Sequence, residues 1–142
     1  MAVPEIVGTY VDAFSRADLE AWLSTFAPSG TYSDPSSPQP VSGPALREVF
    51  AGLFSGFPDA RCETVGLYAI SEQLSVWRWI MRATNTEAFR RKPPTGRGIT
   101  LSGCEFIEIA NDKIQRVEGY FDRLTIMAQL GLLPSPTATA GS

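Results

Sequence analysis

The chain contains no histidine, so any acid–base chemistry falls to carboxylates, tyrosine, arginine or cysteine. Ser-His-Asp and Cys-His nucleophilic sites, mixed His/Cys zinc sites and the two-His iron triad are excluded together. The two cysteines, Cys62 and Cys104, cannot form a four-thiolate metal site and read as buried reduced thiols. Three other side chains stand where chemistry is possible. Glu105 interrupts an alternating apolar face made by Leu101, Ile107 and Ile109. A carboxyl group in such surroundings is pushed toward its neutral form and can donate a hydrogen bond. The competing reading pairs it with Arg78, Arg82 or Arg116 and makes it structural. Asp34 sits where a short strand runs into a Pro- and Ser-rich stretch, a rim position that leaves a carboxylate partly solvated; an Asp that merely starts a turn before Pro35 would look the same. Tyr10 shares a helical stripe with Ile6, Val7 and Phe14, so its ring should be buried and its hydroxyl must find a partner.

Around these groups the sequence offers an apolar wall. Trp77, Trp79, Met81 and Ala83 alternate on one face of a strand, with Arg78 and Arg82 on the other. Two tryptophans two residues apart suit a planar ligand, or ordinary core packing. Phe121 extends the wall on the face that also carries Gly119, and Gly119 leaves room for bulk. Glu63 is a further carboxylate at the start of a strand. Arg90, Arg91, Lys92 and Arg97 crowd one turn, where such clusters are usually solvated.

The elements that must position these residues follow from periodicity. Helical spacing predicts helices over 4–15, 19–26 (with Asp18 as N-cap) and 44–54. A short strand is expected at 31–34, and 35–44 reads as a loop because of its prolines. The period then changes to two, predicting strands over 60–70, 74–86, 98–110 and 113–122, joined by turns, with a short amphipathic helix before Gly131 and Pro134. This is an α+β layout, one domain over 1–134 with a flexible tail over 135–142.

Composition bounds the partners. With 12 Lys+Arg against 15 Asp+Glu, the net charge of −3 speaks against nucleic acid or an anionic membrane as the main partner. The start, MAVPEIVGTY, lacks a basic n-region and an apolar h-region, and no later run approaches a membrane span, so a cytoplasmic location is expected. Exposed faces of such sheets often pair, and a homodimer is expected on that ground.

On GTYSDP at 30–35, VSGPALREVFAGLFSGFPD at 41–59, RWIMRATNTEAF at 78–89, PPTGR at 93–97 and DKIQRVEGYFDRLTIMAQLGLLP at 112–134, the chain resembles the NTF2-like (cystatin-like α+β barrel) superfamily, and within it the SnoaL-like polyketide cyclases. The resemblance implies a cone in which a curved antiparallel sheet wraps three N-terminal helices, with a short C-terminal helix and no cofactor. It also puts Gly119 where these cyclases carry a catalytic Asp and Glu105 where they carry a His. Ketosteroid isomerases of the same superfamily are similar in another way. Their helix Tyr lies 24 positions before an Asp-Pro base, the separation of Tyr10 from Asp34, and their second oxyanion-hole acid falls on Glu105. That likeness implies Asp34 as base and Tyr10 and Glu105 as oxyanion donors; the alternating wall makes Trp77, Trp79, Met81 and Phe121 the expected substrate contacts, with Glu63 beside them. The implied activity is a cofactor-independent isomerase or cyclase of a hydrophobic, carbonyl-bearing polyketide, terpenoid or steroid-like molecule. Two alternatives stand beside it: an epoxide-opening cyclase or hydrolase using Asp34 and Glu63, and a non-catalytic ligand-binding or dimerisation module.

Overall fold

The computed structural model describes residues 1–133; Pro134 and the tail expected at 135–142 lie outside the described residues. The elements run α1 (Glu5–Ser15), α2 (Leu19–Ser24), β1 (Phe26–Asp34), β2 (Ser37–Val41), α3 (Ala45–Phe54), β3 (Arg61–Ala69), β4 (Leu74–Thr84), β5 (Gly98–Ala110), β6 (Lys113–Phe121) and α4 (Arg123–Gln129). One six-stranded sheet has the order β2-β1-β6-β5-β4-β3. Consecutive hairpins from β3 to β6 make the antiparallel part, and β1 joins it parallel to β6. The sheet stays unclosed, with β2 and β3 as its two edges. This is the expected α+β architecture, with three helices before the meander and one after it.

Each departure from the expected boundaries has a local cause. The stretch over 35–44 is not all loop: Ser37–Val41 forms β2, paired with β1 through Tyr32↔Val41 and Asp34↔Ser37. Its prolines, Pro38 and Pro40, are exposed on the sheet's edge, where a missing N–H costs no ladder bond. The strand expected at 31–34 begins earlier, at Phe26, because the α2 turn closes at Thr25, whose Oγ1 donates to Trp22 O at 2.7 Å. β1 then passes a bulge between Phe26 and Thr31, and Gly30 lets it through: a Cβ there would lie 2.7 Å from Ile114 O. β4 stops at Thr84 rather than 86 because Asn85 is a loop anchor. Buried at 1% exposure, it donates to the carbonyls of Gly56 and Glu87 and accepts from Thr95 N and Oγ1.

The core lies between the helices and the inner, odd-numbered face of β4 and β5. Tyr10, Phe14, Trp22, Phe26, Phe50 and Trp77 form one aromatic cluster with ring centroids 5.0–6.2 Å apart in edge-on or tilted contacts. Trp77 belongs to this cluster, fully buried, with Nε1 donating to Thr64 Oγ1 at 3.0 Å. The short helix α4 is tied across the sheet by Gln129, whose amide accepts from Thr100 N and donates to Thr100 O. Gly131, at φ +74°, ends it in the left-handed conformation. Among the described residues, no helix is long and apolar enough to cross a membrane.

Two glycines give a stability test. The Trp79 indole lies over Gly103, where a Cβ would approach Cζ2 and Cη2 to 2.4 and 2.5 Å, whereas a Cβ at Gly8 in α1 meets nothing within 4 Å. Gly103→Ala is expected to destabilise the protein by about 1–3 kcal/mol through overpacking. Gly8→Ala should stabilise it by about 0.4–1 kcal/mol by narrowing the unfolded ensemble. Urea unfolding of both variants checks the opposite signs.

Candidate active site

Glu105 stands in the middle of β5, opposite Trp77 on β4 and Gly119 on β6. It is 2% exposed. None of the three arginines of the sequence-based alternative reaches it. Arg82 pairs with Glu63 at 2.8 Å, Arg116 pairs with Glu108 and Glu118, and Arg78 is exposed on the outer face. Its partner is instead Tyr10, fully buried, whose hydroxyl donates to Glu105 Oε1 at 2.7 Å. Burial pushes the Glu105 carboxyl up to about 7, the nearby Asp34 charge adds to the rise, and the Tyr10 hydrogen bond opposes it. Burial likewise raises the Tyr10 and Tyr32 phenols well above their usual value, so both remain neutral donors.

Asp34 ends β1 and accepts three hydrogen bonds. Tyr32 Oη donates to Oδ2 at 2.7 Å, while the backbone N–H groups of Ser36 and Ser37 donate to Oδ1 at 2.7 and 2.9 Å. The turn-forming role is therefore real, yet of about four lone-pair positions on a carboxylate one is left over. Gly119 lies where these groups meet: a Cβ there would be 3.3 Å from Asp34 Cβ, 3.6 Å from Glu105 Cγ and 3.6 Å from Tyr32 Oη. The bare backbone at Gly119 lets two carboxyl groups and a phenol close in over the strand.

These three side chains border a cavity of about 150 Å³. Tyr32, Asp34 and Glu105 supply polar lining, and Trp79, Met81, Phe121, Phe57, Leu101 and Ile99 are among the apolar residues. The exposed side chains of Glu48 and Arg90 stand at its mouth. An enclosed volume of this size holds roughly one aromatic ring, so larger ligands must extend toward the mouth.

The expected site residues thus divide. Asp34, Glu105, Trp79, Met81 and Phe121 line the cavity; Tyr10 and Trp77 do not. Tyr10 reaches the site only through Glu105, and Trp77 is core. Glu63 is on the outer face, with 64% of its side chain exposed in the ion pair with Arg82, so it has no place in a cavity and the epoxide-opening arrangement with Asp34 does not form. Cys62 lines the cavity, its thiol pushed up to about 12 by burial and the Glu105 charge. Cys104 lies on the opposite face and is only half-buried, because its even position points away from Glu105. Sequence reasoning missed Tyr32. Strand alternation puts it on the face of Asp34 two residues away, which was signal enough to find it. Arg90 reaches the mouth through a tight turn: Phe89 and Lys92 exchange backbone hydrogen bonds, and Arg90 and Arg91 between them adopt φ +50° and +64°. No group of three or more potential ligands for a metal ion occurs among the described residues.

The sequence profile of a family described as SnoaL-like polyketide cyclase matches residues 5–130. No curated protein matches the chain. Similar solved structures include AclR from Streptomyces galilaeus, 22% identical over 91% of this chain and 95% of that one, with a TM-score of 0.79. A SnoaL-like polyketide cyclase from Agrobacterium tumefaciens is 21% identical over 89% and 96%, with a TM-score of 0.71. A protein with a ketosteroid isomerase-like fold from Catenulispora acidiphila, in complex with trimethylamine, is 17% identical over 95% and 100%, with a TM-score of 0.76. At these identities the likeness concerns the fold.

The raised Glu105 carboxyl has a consequence for stability. Between its unfolded value near 4.5 and its folded value of about 7, the native state holds the proton more tightly. Its contribution is therefore fully present below about pH 4.5 and is lost as pH rises through 7, by roughly 3 kcal/mol. Thermal melts at pH 5 and pH 8 should show this loss in the wild type, and Glu105→Gln should show a much smaller one.

Proposed function

The chain belongs to the SnoaL-like polyketide cyclase family, and on that premise we propose that it is a cofactor-independent isomerase or cyclase. Its substrate is a hydrophobic small molecule carrying an enolisable carbonyl. The observation that carries this reading is the pair of carboxyl groups with unlike surroundings on either side of Gly119. Asp34 accepts three hydrogen bonds at the polar end of the cavity, while Glu105 is buried, raised to about 7 and joined to Tyr10. Two carboxyl groups held in such different environments divide base and acid roles between them.

In this mechanism Asp34 takes the proton from the carbon α to the carbonyl, and the C–H electrons move onto the carbonyl oxygen. Neutral Glu105 donates a hydrogen bond to that developing oxyanion. Because Oε1 accepts from Tyr10, the acid's own proton sits on Oε2, the oxygen left for a ligand. The enolate then either takes the proton back from Asp34 at another carbon or attacks a second carbonyl of the same molecule, closing a ring while Asp34 returns its proton to the new alkoxide. Trp79, Met81 and Phe121 exclude water and hold a flat ligand. Tyr10 is a positioning residue here, acting through Glu105.

Proton exchange α to the carbonyl of 2-tetralone in D₂O, followed by NMR, tests the chemistry without knowledge of the natural substrate. Asp34→Asn should lower the exchange rate about 10²–10⁴-fold with the fold intact, the usual worth of a positioned base. Unchanged exchange would leave Asp34 a turn residue only. The rate should also fall as pH rises through about 7, because the acid that holds the oxyanion is then ionised. Tyr10→Phe removes the hydrogen bond that favours ionised Glu105, so this limb should move to higher pH. A limb that stays in place would show that Tyr10 does not act through Glu105.

A further inference from the structure

Among the described residues, three buried polar side-chain atoms have no hydrogen-bond partner: Trp22 Nε1, Ser75 Oγ and Trp79 Nε1. Of these residues, Trp79 alone lines the cavity. The contrast with Trp77, two residues earlier on the same face, is direct, since its indole N–H is satisfied by Thr64 Oγ1. A buried donor without an acceptor is costly and calls for an explanation.

The placement of the ring supplies one. Trp79 pairs in register with Gly103 on β5. A Cβ at Gly103 would meet Cζ2 and Cη2 of the indole, so the ring leans across β5. Cζ2 is bonded to the ring carbon that carries Nε1, which puts the N–H edge on the side of β5. Glu105 is two residues further along that strand, on the same face. Trp79 is 7% exposed, and its ring is bounded by Trp77 and Phe121 at centroid distances of 6.3 Å. Glu105 Oε1 already accepts from Tyr10, and no acceptor among the described residues lies within hydrogen-bond distance of the indole N–H.

We propose that Trp79 Nε1–H is a specificity-determining donor: together with the Glu105 carboxyl it receives a single oxygen of the ligand. Two donors converging on one atom select an oxygen with two free lone pairs, a ketone, enolate or phenolate, over a hydrocarbon ring of the same shape. The inference rests on the reading of Glu105 as the oxygen-binding acid. It adds that the ligand's oxygen lies against β4 as well as β5, at the Gly103 end of Glu105.

2-Naphthol and naphthalene serve as probes at about pH 6, below the Glu105 value of about 7. Calorimetric affinities are compared for the wild type, Glu105→Leu, Trp79→Phe and a protein carrying benzothienylalanine at position 79, which keeps the ring's shape and replaces N–H by sulfur. In the wild type the indole ¹H–¹⁵N signal that disappears in Trp79→Phe should move downfield with 2-naphthol and not with naphthalene. The benzothienyl protein should lose about tenfold of the naphthol-over-naphthalene preference, the worth of one good hydrogen bond, with naphthalene affinity unchanged. A preference that Glu105→Leu abolishes but the benzothienyl protein retains overturns the Trp79 assignment and leaves the Glu105 reading standing. Absence of any naphthol preference in the wild type, or its survival in Glu105→Leu, overturns the Glu105 reading and the Trp79 inference with it. Should Trp79→Phe fail to fold, the isosteric protein still decides.

Discussion

The buried hydrogen bond from Tyr10 to Glu105 is the interaction on which the rest of the arrangement depends. It joins the middle of α1 to the middle of β5 across 95 residues of sequence, and it satisfies two groups that the apolar core would otherwise penalise. Without it, the Tyr10 hydroxyl would have to find another acceptor inside an aromatic cluster. With it, one carboxylate oxygen is fixed and the other is left toward the cavity. The bond also limits the rise of the Glu105 carboxyl, because a phenol donor favours the ionised form against burial and the Asp34 charge. The result is an acid poised near neutrality rather than one locked in the neutral state.

Glycine gives this carboxyl its surroundings. On the inner face of β5 and β6, side chains at Gly103 and Gly119 would meet the Trp79 ring and the side chains of Asp34, Glu105 and Tyr32 that now close over the backbone. The sheet therefore keeps its ladder of hydrogen bonds while its inner surface is hollowed at two neighbouring places. The apolar remainder of the wall, from Met81, Leu101 and Phe121, keeps water from levelling the difference between the two carboxyl environments. Asn85 extends the same economy to the mouth. By anchoring the loop between β4 and β5, it presents Phe89 against Phe57 at 5.0 Å and brings Arg90, whose guanidinium lies over the Phe89 ring, to the entrance.

Much of this was legible in the residues. Period-two alternation located the four long strands and put Trp79, Met81, Glu105, Gly119 and Phe121 on one face, because each inner position on a half-buried sheet is either apolar or needs a reason. The anomaly at Glu105 was visible for that reason. What alternation cannot give is depth along the face. Trp77 and Trp79 look equivalent in sequence, yet one is sealed under α1 and the other borders the cavity. Glu63 failed differently. Its face is set by where β3 pairs with β4, and that pairing also contains a bulge between Thr64 and Gly66. The strand at Ser37–Val41 was hidden because proline's strand avoidance does not hold at an edge. The Tyr10–Glu105 contact could be suspected only from a resemblance, since no local pattern joins residues so far apart.

The two carboxyl groups also constrain each other. Asp34 holds its acceptor positions toward Tyr32 and two backbone amides, all donors that fit an ionised carboxylate. Its charge then disfavours ionisation of Glu105 through the same cavity. In the proposed reaction the ligand becomes an oxyanion at Glu105 while giving its proton to Asp34, which would remove that opposition. Negative charge leaves Asp34 at the moment it appears beside Glu105, so the total charge of the site is unchanged along the reaction. On that proposal charge is relocated from Asp34 to the oxygen beside Glu105 rather than being created in an apolar cavity. In a low-dielectric site this matters more than the strength of either group alone, because creating a new charge there is far more costly than relocating one. A side chain at 119 would crowd Asp34, whose Cβ it would meet at 3.3 Å.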